Sequence, residues 1–156
     1  MRRADSRPSQ KKEALETLAV MCRDVPDSVA AFHAAGAISP LVKLLGADCP
    51  EEQLDAAGAC GLLARDAASA ATVIAAGAIP ALVKLLGSGF STAVQSNATG
   101  SLTLIARSSV ENALAIVAAG ALPPLVQLLG RGTPALGLEN AAEALLGGDG
   151  VKNPPG

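Results

Sequence analysis

Arg23, Arg65 and Arg107 stand 42 residues apart, in the matching settings Val20-Met21-Cys22-Arg23-Asp24, Leu62-Leu63-Ala64-Arg65-Asp66 and Leu104-Ile105-Ala106-Arg107-Ser108. A guanidinium presents a planar fork of donors to carboxylates, so a regular row of three would grip an acidic segment. A plainer reading is also open: each arginine complements the negative C-terminal end of its own helix, worth roughly 0.3–1 kcal/mol, or pairs with Asp24 or Asp66. Other reactive side chains form no recognisable constellation. Cys22, Cys49, Cys60 and His33 lack the close paired spacing of a tetrahedral metal set. The chain has neither a Gly-x-x-x-x-Gly-Lys phosphate loop nor a Gly-x-Ser-x-Gly elbow. Glu139 and Glu143 lie one helical turn apart and read as the polar outer face of a terminal helix. Lys43, Lys84 and Gln127 share one register and read as solvated. No catalytic residue, cofactor or metal is expected, and the chain is read as non-enzymatic.

The same interval runs through the whole sequence. A twelve-residue phrase occurs three times, as Ala35 to Gly46 (AGAISPLVKLLG), Ala76 to Gly87 (AGAIPALVKLLG) and Ala119 to Gly130 (AGALPPLVQLLG). Its first glycines, Gly36, Gly77 and Gly120, are 41 and 43 residues apart. Repetition at a period of about 40–47 residues is the mark of stacked helix pairs or triplets. Each phrase carries a helix stop at glycine, a proline where a helix opens, and an apolar stripe such as Leu41, Val42, Leu44 and Leu45. Ahead of the first phrase and between the phrases lie longer helical patterns, about Gln10–Arg23, Glu51–Arg65 and Ser91–Arg107. Short helices precede the phrases at about Asp27–Ala35 and Ala67–Ala76. Ser108-x-x-Glu111 reads as a capping box opening the third of these, and Thr133-Pro134 opens a last helix that Gly147-Gly148 ends.

Composition narrows the function classes. Half of the 156 residues are apolar, yet Phe32 and Phe90 are the only aromatics and the formal charge is −2. That removes the stacking surface and the basic footprint that nucleic-acid binding requires. Three irregularly spaced cysteines suit a reducing compartment, so the cytoplasm or nucleus is expected. Arg2, Arg3 and Arg7 hint at a transit segment that Asp5 and Glu13 interrupt. Residues 112–130 carry no charge and approach bilayer-spanning length. Gly120, Pro123 and Pro124 break that run, which is read as two short helices with a bend and no membrane partner.

These motifs resemble the armadillo-repeat family, the fold of β-catenin and importin-α. The family phrase Gly-x-Ile-Pro-x-Leu-Val-x-Leu-Leu is matched in full by Gly77 to Leu86, closely by Gly120 to Leu129, and with Ser39 in place of the first Pro in Gly36 to Leu45. Val94-Gln95-Ser96-Asn97-Ala98 matches its long-helix signature. The resemblance implies an all-α, right-handed α-solenoid of about three repeats plus a partial N-terminal repeat. Its expected divisions are a flexible segment 1–9, a partial repeat 10–24, repeats of about 25–66, 67–107 and 108–147, and a disordered tail 148–156. It also implies a groove lined by the third helices that holds an extended protein or peptide segment, acidic if the arginine row is the grip. The residues it places there are Arg23, Asp55, Gly58, Arg65, Asn97, Gly100, Thr103 and Arg107. Peptide-binding members carry a Trp and, four residues on, an Asn on each third helix. Those positions fall here on Glu16, Gly58, Gly100 and Glu143, and on Val20, Leu62, Leu104 and Gly147, so binding of nuclear-localisation signals in the importin manner is not expected. A monomeric scaffold or adaptor is the leading expectation. The alternatives are a relative of the substrate-recruiting array of U-box ubiquitin ligases, without the U-box, or a structural spacer.

Overall fold

The computed structural model describes residues 3–25 and 27–130, with side chains from Gln10 onward. The expected final helix from Thr133-Pro134, with Glu139, Glu143 and Gly147 on it, and the tail after it lie outside the described residues. Within them every regular element is a helix: α1 (Arg3–Asp24), α2 (Ser28–Ala34), α3 (Ile38–Leu44), α4 (Pro50–Leu63), α5 (Ala67–Ala75), α6 (Ala78–Leu85), α7 (Thr92–Ser108), α8 (Val110–Ala118) and α9 (Leu122–Leu129). The α1 backbone is helical from Arg3, ahead of the Gln10 start that the periodicity suggests.

The long helices α1, α4 and α7 pack side by side in that order, and the short pairs α2–α3, α5–α6 and α8–α9 back them. Helices of seven to nine residues are marginal alone. Their second members therefore depend on the burial of Leu41 and Leu45, of Leu82, Leu85 and Leu86, and of Leu125 and Leu128. Each such leucine contributes about 1.5–3 kcal/mol relative to exposure. The long helices answer with smaller side chains, Ala56, Ala57, Cys60 and Ala98, all 0% exposed, around the larger Leu102.

The phrase glycines fix the corner. Gly36, Gly77 and Gly120 adopt φ of +68°, +90° and +85°, the left-handed region that glycine enters without a Cβ penalty. Beyond the first and third glycine, the Ala37 N–H reaches back to Phe32 O and the Ala121 N–H to Ile116 O, at 3.1 and 3.3 Å. The corners between α5 and α6 and between α8 and α9 bend by 79° and 87°. No single helix among the described residues is long and apolar enough to cross a membrane, and the uncharged run 112–130 is indeed two bent helices. The helices of the phrase start before their prolines, at Ile38, Ala78 and Leu122.

Buried glutamines lock α4 and α7 to the turns that precede them. Gln95 Nε2 donates to Leu86 O and Gly87 O at 3.2 and 2.7 Å. Its 42-residue equivalent, Gln53, donates to Ala47 O at 2.7 Å. The capping box shifts by one residue from its expected place. Ser109 is the N-cap of α8, accepting from the Asn112 N–H at 3.1 Å, while Ser108 closes α7 by donating to Ile105 O at 2.6 Å. Glu111 makes no reciprocal cap contact, and Asn112 Nδ2 instead donates to Ser108 Oγ at 2.9 Å.

Candidate partner-binding face

The side of α1, α4 and α7 turned away from the short helices repeats one stripe of four positions. On α1 they are Glu13, Glu16, Val20 and Arg23; on α4, Asp55, Gly58, Leu62 and Arg65; on α7, Asn97, Gly100, Leu104 and Arg107. Steps of three, four and three residues keep each stripe on one helical face. None of the twelve residues is buried. Stacking of the three helices turns the stripes into four rows, each with one residue per helix: acid or amide, glutamate or glycine, apolar, and arginine.

Direct contacts show that the rows join across the helices. Asn97 Nδ2 donates to Leu54 O at 2.9 Å and lies 3.4 Å from where a Cβ on Gly58 would sit. Arg65 Nη1 reaches Cys22 O at 3.2 Å and Arg23 O at 3.5 Å, the terminal carbonyls of α1. Arg23 Nε bonds the neighbouring Asp24 Oδ1 at 3.0 Å. Arg65 thus caps the helix of the preceding repeat, rather than its own, and Arg23 pairs within its own turn. The acidic row is different. Partial burial, reinforced by Glu16 and Glu51 and opposed by Lys12, holds the Asp55 carboxyl above its ordinary range. Lys11 and Lys12 are engaged with Glu52 and Glu51 at 3.6 and 3.7 Å. Neither Glu13, Glu16 nor Asp55 has an ion-pair partner within 4.0 Å among the described residues.

One expected groove residue does not belong to the face. Thr103 is 3% exposed and donates to Thr99 O at 2.9 Å, because its helical position turns it into the packing one residue before the open Leu104. Burial of its hydroxyl is tolerated because a carbonyl of the same helix accepts the bond. Arg23, Asp55, Gly58, Arg65, Asn97, Gly100 and Arg107 do lie on the face. The contribution of Val20 and Leu104 to it, 46% and 39% exposed, was hidden at positions noted only for a missing asparagine.

The remaining reactive groups take structural places. Cys22 and Cys60 are buried, and burial pushes the Cys60 thiol up to about 12. His33 is half-buried, its Nε2 enclosed without a hydrogen-bond partner among the described residues. Among those residues no group of three or more His, Cys, Asp or Glu side chains is placed to hold a metal ion. A cleft of about 380 Å³ opens where the α3–α4 and α6–α7 turns meet, away from the face. Its buried amide, Gln53, is already bonded to Ala47 O.

The Armadillo/beta-catenin-like repeat model matches residues 66–107 and 109–146, which together make up more than half of the chain. The chain belongs to the armadillo-repeat family. This array superposes on an engineered protein with a TM-score of 0.81 at 35% identity, over 87% of this chain and 55% of that one. A designed armadillo repeat protein in complex with the peptide (KR)4 gives a TM-score of 0.80 at 32% identity, over 86% and 56%. Computationally designed armadillo repeat proteins for modular peptide recognition give 0.81 at 33%, over 87% and 57%. The chain therefore spans little more than half the length of these solved structures. A search of curated proteins finds no match. The all-α armadillo solenoid is the architecture of this chain.

Proposed function

We propose that this armadillo array is a non-enzymatic interaction module that holds an extended protein segment across α1, α4 and α7, in the cytoplasm or nucleus. One observation carries the reading: twelve unburied residues, two of them glycines, recur in four rows at a 42-residue interval on the face opposite the short helices. An extended chain advances about 3.3 Å per residue, and packed helices are about 8–10 Å apart, so two to three residues cover each rung. The peptide-recognising armadillo designs of like architecture support the same use.

An acidic partner gripped by the arginine row is the narrower version of this proposal. The bonds from Arg65 to Cys22 O and Arg23 O count against it, because that guanidinium is already spent on joining two repeats.

The test is selection from a random peptide library, followed by amide chemical-shift mapping with the best binder. Shifts should concentrate on residues 13–23, 55–65 and 97–107. Shifts confined to the outer surfaces of α2, α5 and α8 would defeat the proposal.

A further inference from the structure

Resting on that reading, we infer that the groove selects an extended segment with two unlike edges. Apolar side chains meet Val20, Leu62 and Leu104, and basic side chains meet Glu13, Glu16 and Asp55. On α4 and α7, Gly58 and Gly100 make the floor between these edges. A Cβ at Gly58 would meet only Asn97 Nδ2, at 3.4 Å, so a partner backbone can lie close over α4 without displacing main chain. Alternate residues of an extended chain point to opposite sides, which sends one set toward the leucine row and the other toward the acids.

The apolar edge follows from exposure. Val20 and Leu104 are 46% and 39% exposed and Leu62 is half-buried, forming a strip of one apolar side chain per rung. Truncated or polar partner side chains would leave that strip wet.

The basic edge follows from charge complementarity. Along the first two rows the residues run from Glu13 and Glu16 on α1, through Asp55 and Gly58 on α4, to Asn97 and Gly100 on α7. These two rows are thus most negative at their α1 end and uncharged at α7, and their carboxylates have no ion-pair partner within 4.0 Å among the described residues. The cations on the opposite edge are differently placed: Arg65 lies on α1 carbonyls and Arg23 on Asp24. A segment carrying Lys or Arg on the acid edge gains attraction there, strongest at α1, and that term weakens with salt.

Three eight-residue peptides separate the edges: alternating Val–Lys, alternating Val–Glu and alternating Ser–Lys, titrated into the full chain at low salt. The Val–Lys peptide should bind at least ten-fold more tightly than either of the others. Glu16→Lys with Asp55→Lys should invert the Val–Lys over Val–Glu preference, and Leu62→Ser with Leu104→Ser should bring Val–Lys down to the Ser–Lys level. Leu104→Ser alone, at an exposed position, keeps the second arm open if the double variant unfolds. Equal or tighter binding of Val–Glu overturns the basic edge, and equal binding of Ser–Lys overturns the apolar edge. If Val–Glu wins with shifts at Gly58 and Gly100, this inference falls while the groove stands. If library-selected peptides also leave those residues unshifted, the groove reading itself falls.

Discussion

Two alanine substitutions in α4, three residues apart, should move stability in opposite directions. Gly58 and Gly61 both lie inside the helix, where glycine is roughly 0.5–1 kcal/mol worse than alanine. On propensity alone, both substitutions should stabilise. At Gly58 the added methyl meets only the end of the Asn97 amide at 3.4 Å, an ordinary contact. Gly58→Ala should therefore realise the gain of about 0.5–1 kcal/mol. At Gly61 the same methyl would lie 2.6 Å from Ser101 Oγ, 3.0 Å from Ser101 Cα and 3.1 Å from its Cβ. The serine hydroxyl cannot simply turn aside, because it donates to Ala57 O across the α4–α7 seam. Overpacking of this kind costs about 1–3 kcal/mol, and loss of the bond about 0.5–1.5 kcal/mol more. The propensity gain offsets only part of that, leaving Gly61→Ala roughly 1–3 kcal/mol less stable than the parent. Urea unfolding followed by circular dichroism would measure both variants, with an unchanged m-value certifying that the denatured state is not the cause. Adding Ser101→Ala to Gly61→Ala should recover little, since the Cα at 3.0 Å is main chain. If Gly61→Ala proves as stable as Gly58→Ala, α4 and α7 are not in contact through Gly61 and Ser101, and the rows across the face are spaced more widely than that contact allows.

Three further outcomes are expected. Gln95→Ala, which removes both bonds from a 5% exposed amide to Leu86 O and Gly87 O, should destabilise by about 1–3 kcal/mol in the same urea assay. The Asp66 carboxylate, held below its ordinary range by the Ser69 N–H and hydroxyl, contributes stability that is present above the unfolded-state pKa. That contribution is lost as pH falls through the lower folded-state value, so melts between about pH 2 and 5 should lose part of their acid slope in Asp66→Asn. Thiol labelling of the native protein at neutral pH should modify Cys49 first and leave Cys60, buried with its thiol pushed up to about 12, unreacted until the chain unfolds. Mass spectrometry of the labelled peptides reads that order directly.

The fold was legible because its instructions are local and repeated. A glycine that must take positive φ, a proline near a helix start and a leucine stripe recur at Gly36, Gly77 and Gly120, and each does at its site what its residue type dictates. The seam between long helices was much less legible. Ser101, Gln53 and Gln95 are polar residues in buried places; the Ser101 acceptor, Ala57 O, lies 44 residues away, and the glutamines bond carbonyls six to nine residues back in the preceding turn. The 42-residue spacing of the two glutamines was the signal that could have found them. Thr103 shows the converse: a polar side chain that is nonetheless buried, because its hydroxyl finds its acceptor one turn back and needs no water. The cap of α8 slipped by one residue because Ser108 and Ser109 have the same chemistry, and only the backbone, extended at Ser109 with φ −165°, separates them.

What repeats and what changes along the rows divides structure from specificity. The arginine row is the same on all three helices, and Arg65 reaches across two repeats to satisfy the carbonyl end of α1. Such constancy is what stacking demands, since each helix end presents the same unsatisfied carbonyls to the next repeat. The first two rows instead lose charge along the array, one from glutamate to aspartate to asparagine and the other from glutamate to glycine and glycine. Stacking cannot require such variation, because the same scaffold accepts each version. A partner that senses it meets a different charge at each rung, and so has a preferred direction as well as a preferred composition. The apolar row does not vary in kind, and gives that partner a common anchor at each rung. Register would then come from Val20, Leu62 and Leu104, and polarity from the acids beside them; a reversed Val–Lys sequence with its lysines confined to the α7 half should bind more weakly than one with them over α1, by the attraction to Glu13, Glu16 and Asp55 that it forgoes.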